Sequence, residues 1–454
     1  MRNEQLPRPR ILLIGLMALF LLLSSACGRA GGEAGVEASV PVAIAPTAAT
    51  VATPSTAGTS IEAAAVTVQA KGFAQDIQSA AYGFVVVNPN ESLAWENVAY
   101  QVTLKTADGA IVGRDAGTIA TLLPGQTHGV AGTIFLDSET PLTAIDVALS
   151  GGQAVALGPV ENFTVSTVTY LPSDYGRAVS GIIHSPFDRP LEEVRVSAIA
   201  YDAEARISGG GFTFAGFVPP AGQIGALVLI SAVGEVARVE LYPAVSPLSV
   251  LEAAIEAPAD ALPIELLDAG IGQGAFESGY GLLVHNPNTT YPVESSRYQI
   301  TAFDERGTVV ATYAGDIHFL LPGQTLGVAG SIFSQTEAAI ATIDVQVLSG
   351  EFIVDETTMS AFTTEAATLV AGDFSPEVSG TVVNPNPSEV TNIQVSALAF
   401  DEAGHIIGGG FTFIDAIPAA ANEPVSVPLS VSGTPARVEL FAAVTSTSIC
   451  ETGQ

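Results

Sequence analysis

A chain of 454 residues is too long for one hydrophobic core and long enough for three or four ordinary domains. Hydrophobic residues make up 48% of it, enough to fill several cores, while the charged 13% is lopsided, with 46 acidic residues against 15 basic ones. A formal net charge of −31 repels phosphate backbones and anionic headgroups, which argues against nucleic acid as a partner and against adsorption to acidic lipid.

The N-terminus opens with Arg2, Arg8 and Arg10, followed by an uninterrupted apolar run from Ile11 to Leu23. That run has the length of a signal-peptide core and falls short of the ~20 residues needed to span a bilayer. It ends in Leu23-Ser24-Ser25-Ala26-Cys27, which resembles the lipobox of bacterial lipoproteins, with Ser24 standing where that family usually has Leu. The resemblance implies that residues 1–26 are a signal peptide, that Cys27 becomes the lipidated first residue, and that the mature chain is extracytoplasmic and held to the membrane through its lipid. Residues 27–60 are dominated by Gly, Ala, Pro, Thr, Ser and Val without sustained periodicity, and read as a flexible, disordered tether. The only other cysteine, Cys450, lies in a C-terminal tail (449–454), so no disulfide framework can staple a module internally. In an oxidising compartment Cys450 is expected to support an intermolecular disulfide and a linked dimer.

The rest of the chain is repetitive. Leu122-Leu123-Pro124-Gly125-Gln126-Thr127-His128-Gly129-Val130-Ala131-Gly132 recurs as Leu320-Leu321-Pro322-Gly323-Gln324-Thr325-Leu326-Gly327-Val328-Ala329-Gly330, an offset of 198. Gly209-Gly210-Gly211-Phe212-Thr213-Phe214 recurs as Gly408-Gly409-Gly410-Phe411-Thr412-Phe413, an offset of 199. A long unit is therefore duplicated. Each unit holds two weaker copies of a strand ending in an X-Pro turn, at Pro89, Pro186, Pro287 and Pro385. A strand of period two follows each turn, with one face apolar and the other carrying Gln101, Arg195, Gln299 or Gln394. Short strands separated by Gly, Pro, Asn and Asp turns predict an all-β fold of four tandem antiparallel β-sandwich, immunoglobulin-like modules in an A-B-A-B order. The expected modules are 61–152 (A), 153–248 (B), 264–350 (A) and 351–448 (B). A linker at 249–263 joins the two pairs, and Ser249 to Ala261 within it reads as a short helix or a connecting segment.

After the strand comes an aromatic-Asp-x-x-Gly turn, as in Phe303-Asp304-Glu305-Arg306-Gly307 and Phe400-Asp401-Glu402-Ala403-Gly404; Tyr201-Asp202 begins it but has Ala205 in place of Gly. With Val395-Ser396-Ala397-Leu398-Ala399-Phe400-Asp401 and Val196-Ser197-Ala198-Ile199-Ala200-Tyr201-Asp202, this order resembles the FxLYD-type and related immunoglobulin-like domains of exported bacterial proteins. The first module departs from it, with Lys105-Thr106 at the aromatic-Asp position. The resemblance implies a β-sandwich on a membrane-anchored protein and supplies no catalytic residues.

Nothing in the chain forms a recognisable reaction centre. His128, His184, His285, His318 and His405 make no metal-ligand spacing, and read as polar turn or edge-strand residues. The triple glycines have no Lys-Ser/Thr after them, so they read as a β-bulge or a tight strand crossing instead of a phosphate loop. No nucleophile elbow occurs, and no carboxylate pair stands out from the plentiful acids. Asp304-Glu305 and Asp401-Glu402 read as solvated turn acids, with a weak cation site as the alternative. Phe212, Phe214, Phe217, Phe411 and Phe413 belong first to the core; turned outward they would make an apolar patch for a protein or a polysaccharide. Trp95, after the first Asn-Pro turn, is expected to cover the sandwich end. The expectation is a non-enzymatic surface protein, without cofactor or metal, whose modules bind an envelope protein or polysaccharide. The alternatives are a structural spacer and, more remotely, a hydrolase with an unrecognised acidic site.

Overall fold

The computed structural model describes residues 63–448 apart from 138, 158–160, 174–175, 247–256, 275–276, 355–358 and 373. Over these residues the protein is all-β, with antiparallel sheets packed as sandwiches and no helix. The expected signal peptide, tether, Cys27, Cys450 and C-terminal tail lie outside the described residues, as does most of the Ser249–Ala261 segment.

The first strands are β1 (Thr67–Gln75), β2 (Ser79–Val87), β3 (Leu93–Lys105), β4 (Ile111–Leu122), β5 (Thr127–Phe135) and β6 (Ala144–Ala156). They pair as β1-β2-β5 and β4-β3-β6. Next come β7 (Thr164–Ser173), β8 (Gly176–His184), β9 (Leu191–Tyr201), β10 (Ile207–Val218), β11 (Gln223–Ala232) and β12 (Arg238–Ala244). Here the same two triplets are joined through β10 and β11 into one sheet, β12-β9-β10-β11-β8-β7. The third set is β13 (Glu265–Gln273), β14 (Ser278–His285), β15 (Val293–Phe303), β16 (Val309–Leu320), β17 (Thr325–Ile332), β18 (Thr342–Leu348) and the short β19 (Glu351–Phe352). The fourth is β20 (Thr363–Val370), β21 (Glu377–Val383), β22 (Val390–Phe400), β23 (Ile406–Ile417), β24 (Asn422–Pro428), β25 (Ser430–Val431) and β26 (Arg437–Val444). The order first-second-fifth and fourth-third-sixth thus recurs along the chain, with β19 added beside β15 and β25 beside β23.

Alternation explains each sandwich. In β3, Val98, Tyr100, Val102 and Leu104 are buried, and they meet Tyr82, Phe84 and Val86 of β2 across a shared core. A fully buried Leu or Phe contributes about 1.5–3 kcal/mol, so each such core can hold its two sheets together. The expected polar outer face survives on β3, where Gln101 is exposed. It fails on β9, β15 and β22. Ile199, Gln299, Thr301 and Leu398 point away from their own cores and are nevertheless buried.

The reason is packing between sets. Val85 and Ala131 of the first set form a buried cluster with Ile199, Tyr201 and Ile207 of the second. Ala329 of the third forms the matching cluster with Leu398, Phe400 and Ile406 of the fourth. A different cluster, Ala178, Leu227 and Val309, joins the second set to the third. The described residues consequently form one compact unit.

The triple glycines lie in the two equivalent seams. Both strands carry a bulge there, at Ile207/Gly209 and at the Ala399/Phe400 step opposite Gly408. A Cβ on Gly210 would lie 3.0 Å from Ala131 Cβ, and one on Gly409 would lie 3.0 Å from Ala329 Cβ. On the facing side, a Cβ at Gly72 or Gly270 would overlap the carbonyl oxygen of Ile207 or Ile406. Sheet therefore meets sheet at backbone distance. Gly72→Ala and Gly270→Ala are each expected to destabilise the protein by about 1–3 kcal/mol through overpacking, measured as a lower urea midpoint.

Candidate functional site

The X-Pro turns are built around buried amides. Asn88, Asn286 and Asn384 are fully buried. The Asn286 Nδ2 group donates to the carbonyls of Tyr291, Leu320 and Leu321 at 2.9, 3.1 and 3.1 Å. Its Oδ1 accepts from both the backbone and the side-chain amide of Asn288. Asn288 in turn pairs with the backbone of Leu262, accepting at 2.8 Å and donating at 2.7 Å. Asn90 with Ala64, and Asn386 with Ser360, repeat this bridge. The sequence shows the clue as Asn-Pro-Asn at 88–90, 286–288 and 384–386. The second set lacks it. There Ser185 Oγ accepts from Phe187 N, and the Phe187 ring packs edge-on against Phe163.

The expected turn aspartates act on their own backbone. Asp304 Oδ1 accepts from Arg306 N and Thr308 N, and Asp401 Oδ1 accepts from Ala403 N and His405 N. This is turn-capping geometry. Gly307 and Gly404 close the turns at φ of 78° and 88°, and Ala205 takes the same left-handed conformation at 60°. Among the described residues, no three His, Cys, Asp or Glu side chains gather as a metal site.

The histidines separate into kinds. His184 and His285 end their strands and bond to Ser166 and Thr325 hydroxyls. His405 sits in a turn. His318 is half-buried, and burial lowers its pKa. His128 differs from the expectation of a turn or edge residue: it is buried in the seam between the first and second sets, edge-on to Tyr242. Burial, and secondarily the Arg195 guanidinium, push its pKa down to about 4. Leu326 occupies the corresponding place in the other seam.

The same seam carries more polar chemistry than its twin. Arg195 donates to Ala131 O at 2.6 Å, where Gln394 donates to Ala329 O at 3.4 Å. Tyr201 donates to Glu240 at 2.8 Å, where the twin has Phe400 and Glu439. The Ser197 hydroxyl and Arg195 Nε are buried without a hydrogen-bond partner. The twin hydroxyl, Ser396, accepts from Ala329 N. A cleft of about 420 Å³ opens in the second seam between Gln324–Leu326, Phe362–Thr364 and Glu439–Ala442.

The aromatic residues of β10 and β23 depart from the core expectation. Phe217 is buried, but Phe212, Phe214 and Phe413 are exposed by 40%, 39% and 55%. The rings pair edge-on, Phe212 with Phe214 at 5.8 Å and Phe411 with Phe413 at 5.7 Å. Arg195 stacks on the Phe212 ring at 3.9 Å. Phe212 and Phe214 follow Gly210, which lies under Ala131, and precede Gly216, which lies near Ala314. The pair thus lies on β10 between the stretch that meets the first set and the stretch that meets the third. Phe135 and Phe333, at matching strand ends, are also strongly exposed. Trp95 lies within β3, packs on the first core and donates to Ala64 O at 3.2 Å.

Compared with known proteins, the chain matches no family model, and no curated protein matches it.

The His128 environment fixes a pH dependence. Unfolded, the ring takes up a proton near pH 6.5; folded, it does so only near pH 4. The unfolded state binds more protons between these values, so stability falls as pH drops through that window, by on the order of 3 kcal/mol in total. His128→Leu, which copies Leu326, is expected to flatten the urea midpoint between pH 6.5 and 4.

Proposed function

We propose that the chain is a non-enzymatic, lipid-anchored protein of the bacterial envelope. Its tandem sandwich modules, four in A-B-A-B order, bind an envelope protein or polysaccharide. The observation that carries this reading is the outward aromatic pair repeated at the same strand position, Phe212 with Phe214 and Phe411 with Phe413. Large apolar rings held in place on a sheet are anchors for a partner. Two copies in one compact unit allow avidity from individually weak sites. The lipobox-like Leu23–Cys27 segment and the tether after it support the anchoring, and the β-sandwich fold agrees with the FxLYD-type resemblance.

A second reading, a structural spacer or assembly component, draws on the seams. Glycines and small residues hold the sheets at backbone distance there, which suits a stiff body more than a string of independent binding heads.

Two measurements test the proposal. Cys27→Ser is expected to release the chain from the membrane fraction, and an unchanged membrane association would refute the anchor. Combined Phe212→Ser, Phe214→Ser, Phe411→Ser and Phe413→Ser changes are expected to weaken capture of envelope material by about tenfold or more, with circular dichroism unchanged. Capture equal to the parent chain would move the function away from the aromatic pairs.

A further inference from the structure

The junction between the second and third sets provides a template for a contact outside the chain. There β15 and β16 sit against β8 and β11. Phe303, Leu171 and Ile182 pack on the Ala178, Leu227 and Val309 cluster. Gly225 N donates to Thr301 Oγ1 at 2.9 Å, and Phe217 N donates to Gln299 Oε1 at 3.4 Å. Arg297 pairs with Glu192 at 2.5 Å.

Both halves of this junction recur at the ends of the compact unit. On β3 and β4, Ala99, Gln101, Thr103, Lys105 and Ile111 stand where the junction has Arg297, Gln299, Thr301, Phe303 and Val309. On β20, β21 and β24, Val370, Glu377, Thr381, Pro424 and Ser426 stand where it has Leu171, Ala178, Ile182, Gly225 and Leu227. Gln101, Ile111, Pro424 and Ser426 are exposed.

Two of the differences between the template and the two end faces match one another. Phe303 packs on the cluster containing Ala178; their counterparts are Lys105 and Glu377, a cation facing an anion. Arg297 and Glu192 form an ion pair; their counterparts are Ala99 and Thr391, so both charges disappear together. Gln101 and Thr103 keep the two acceptors. Lys71 and Lys105, the only lysines of the chain, share the single carboxylate of Asp146, which leaves a positive charge over on this face.

We propose that the β20-β21-β24 face of one copy receives the β3-β4 face of a second copy, head to tail, in the manner of the internal junction. Such a contact is heterologous and does not close on itself, so it builds linear chains of molecules. It is weaker than the internal junction, because Pro424 has no amide to give Thr103. A Cβ at the Gly225 position would overlap the Thr301 methyl, so the two faces meet there only with a local shift, and Ser426 and Thr381 replace the apolar Leu227 and Ile182. Near-physiological salt screens the general repulsion between two acidic chains beyond ~8 Å and leaves the Lys105–Glu377 contact effective.

The test is sedimentation velocity of the detergent-solubilised full chain over a concentration series, with reductant present so that no Cys450 disulfide contributes. The expected result is growth beyond dimer with rising concentration. Lys105→Glu and Glu377→Lys are each expected to move the association midpoint up by about tenfold or more. The two changes combined in one chain, or an equimolar mixture of the two single variants, are expected to restore it. The Phe212→Ser and Phe214→Ser changes are expected to leave it unaltered, which separates this contact from the proposed binding sites. A chain that stays monomeric throughout overturns the proposal, as does association that ignores both charge reversals.

Discussion

The structure depends on the approach of one sheet to another across seams that bring backbone against backbone at a few glycine positions. Beyond filling the individual cores, the outer faces of β10 and β23 must accept a neighbouring sheet at backbone distance. Only glycine and alanine permit that, and they occupy Gly72, Ala131 and Gly210 in one seam and Gly270, Ala329 and Gly409 in the other. Once backbones are that close, buried polar groups must be paired across the gap. Ser396 accepting from Ala329 N, and Asp268 accepting from Ile406 N at 2.8 Å, meet that demand.

The same constraint explains why the two halves differ chemically while keeping one geometry. Where backbone contact fixes the spacing, side chains at the rim of the seam can change without moving the sheets. Leu326, Phe400 and Gln394 stand where the first seam has His128, Tyr201 and Arg195. The first seam is therefore sensitive to protons and carries buried polar atoms without partners, Arg195 Nε and Ser197 Oγ. The second has Leu326 and Phe400 at those places, its Ser396 hydroxyl is paired, and it is bordered by a cleft. Duplication supplied two equivalent frames, and their rims have diverged into different environments.

The antiparallel sandwich pattern was legible because strand periodicity and turn chemistry are local. Val98, Tyr100, Val102 and Leu104 announce a buried face, and Asp401 with Gly404 announces a capped turn. The bulges at the triple glycines were legible for the same reason. Contacts between sets were not, because a period-two pattern reports which face is apolar and not what covers the opposite face. One signal was present: Val196-Ser197-Ala198-Ile199-Ala200-Tyr201 has apolar or small residues on both faces, as a strand covered on both sides requires. The same limit applies to the aromatic pairs. Phe212 and Phe214 alternate with Thr213 and Ala215, and only the register with β9 shows which pair faces the core: the rings lie on the side of Ser197 and Arg195, opposite Ala215 and Val194. His128 shows the converse, a polar residue in a turn-rich stretch that packing between sets buries.

The paired asparagines bear on how the protein carries load. Ala64, Leu262 and Ser360 each precede the first strand of a set, and each is held by a ring of two amide hydrogen bonds to Asn90, Asn288 or Asn386. Tension arriving from the N-terminal side of a set meets this ring before any strand ladder. The ring is anchored through Asn88, Asn286 or Asn384 to carbonyls at or just before the start of the third strand and at the end of the fourth, so the force spreads into the second sheet instead of peeling the first strand. The second set enters through Phe163 and Phe187, whose edge-on rings hold by non-directional apolar contact where the other sets have directional amide bonds.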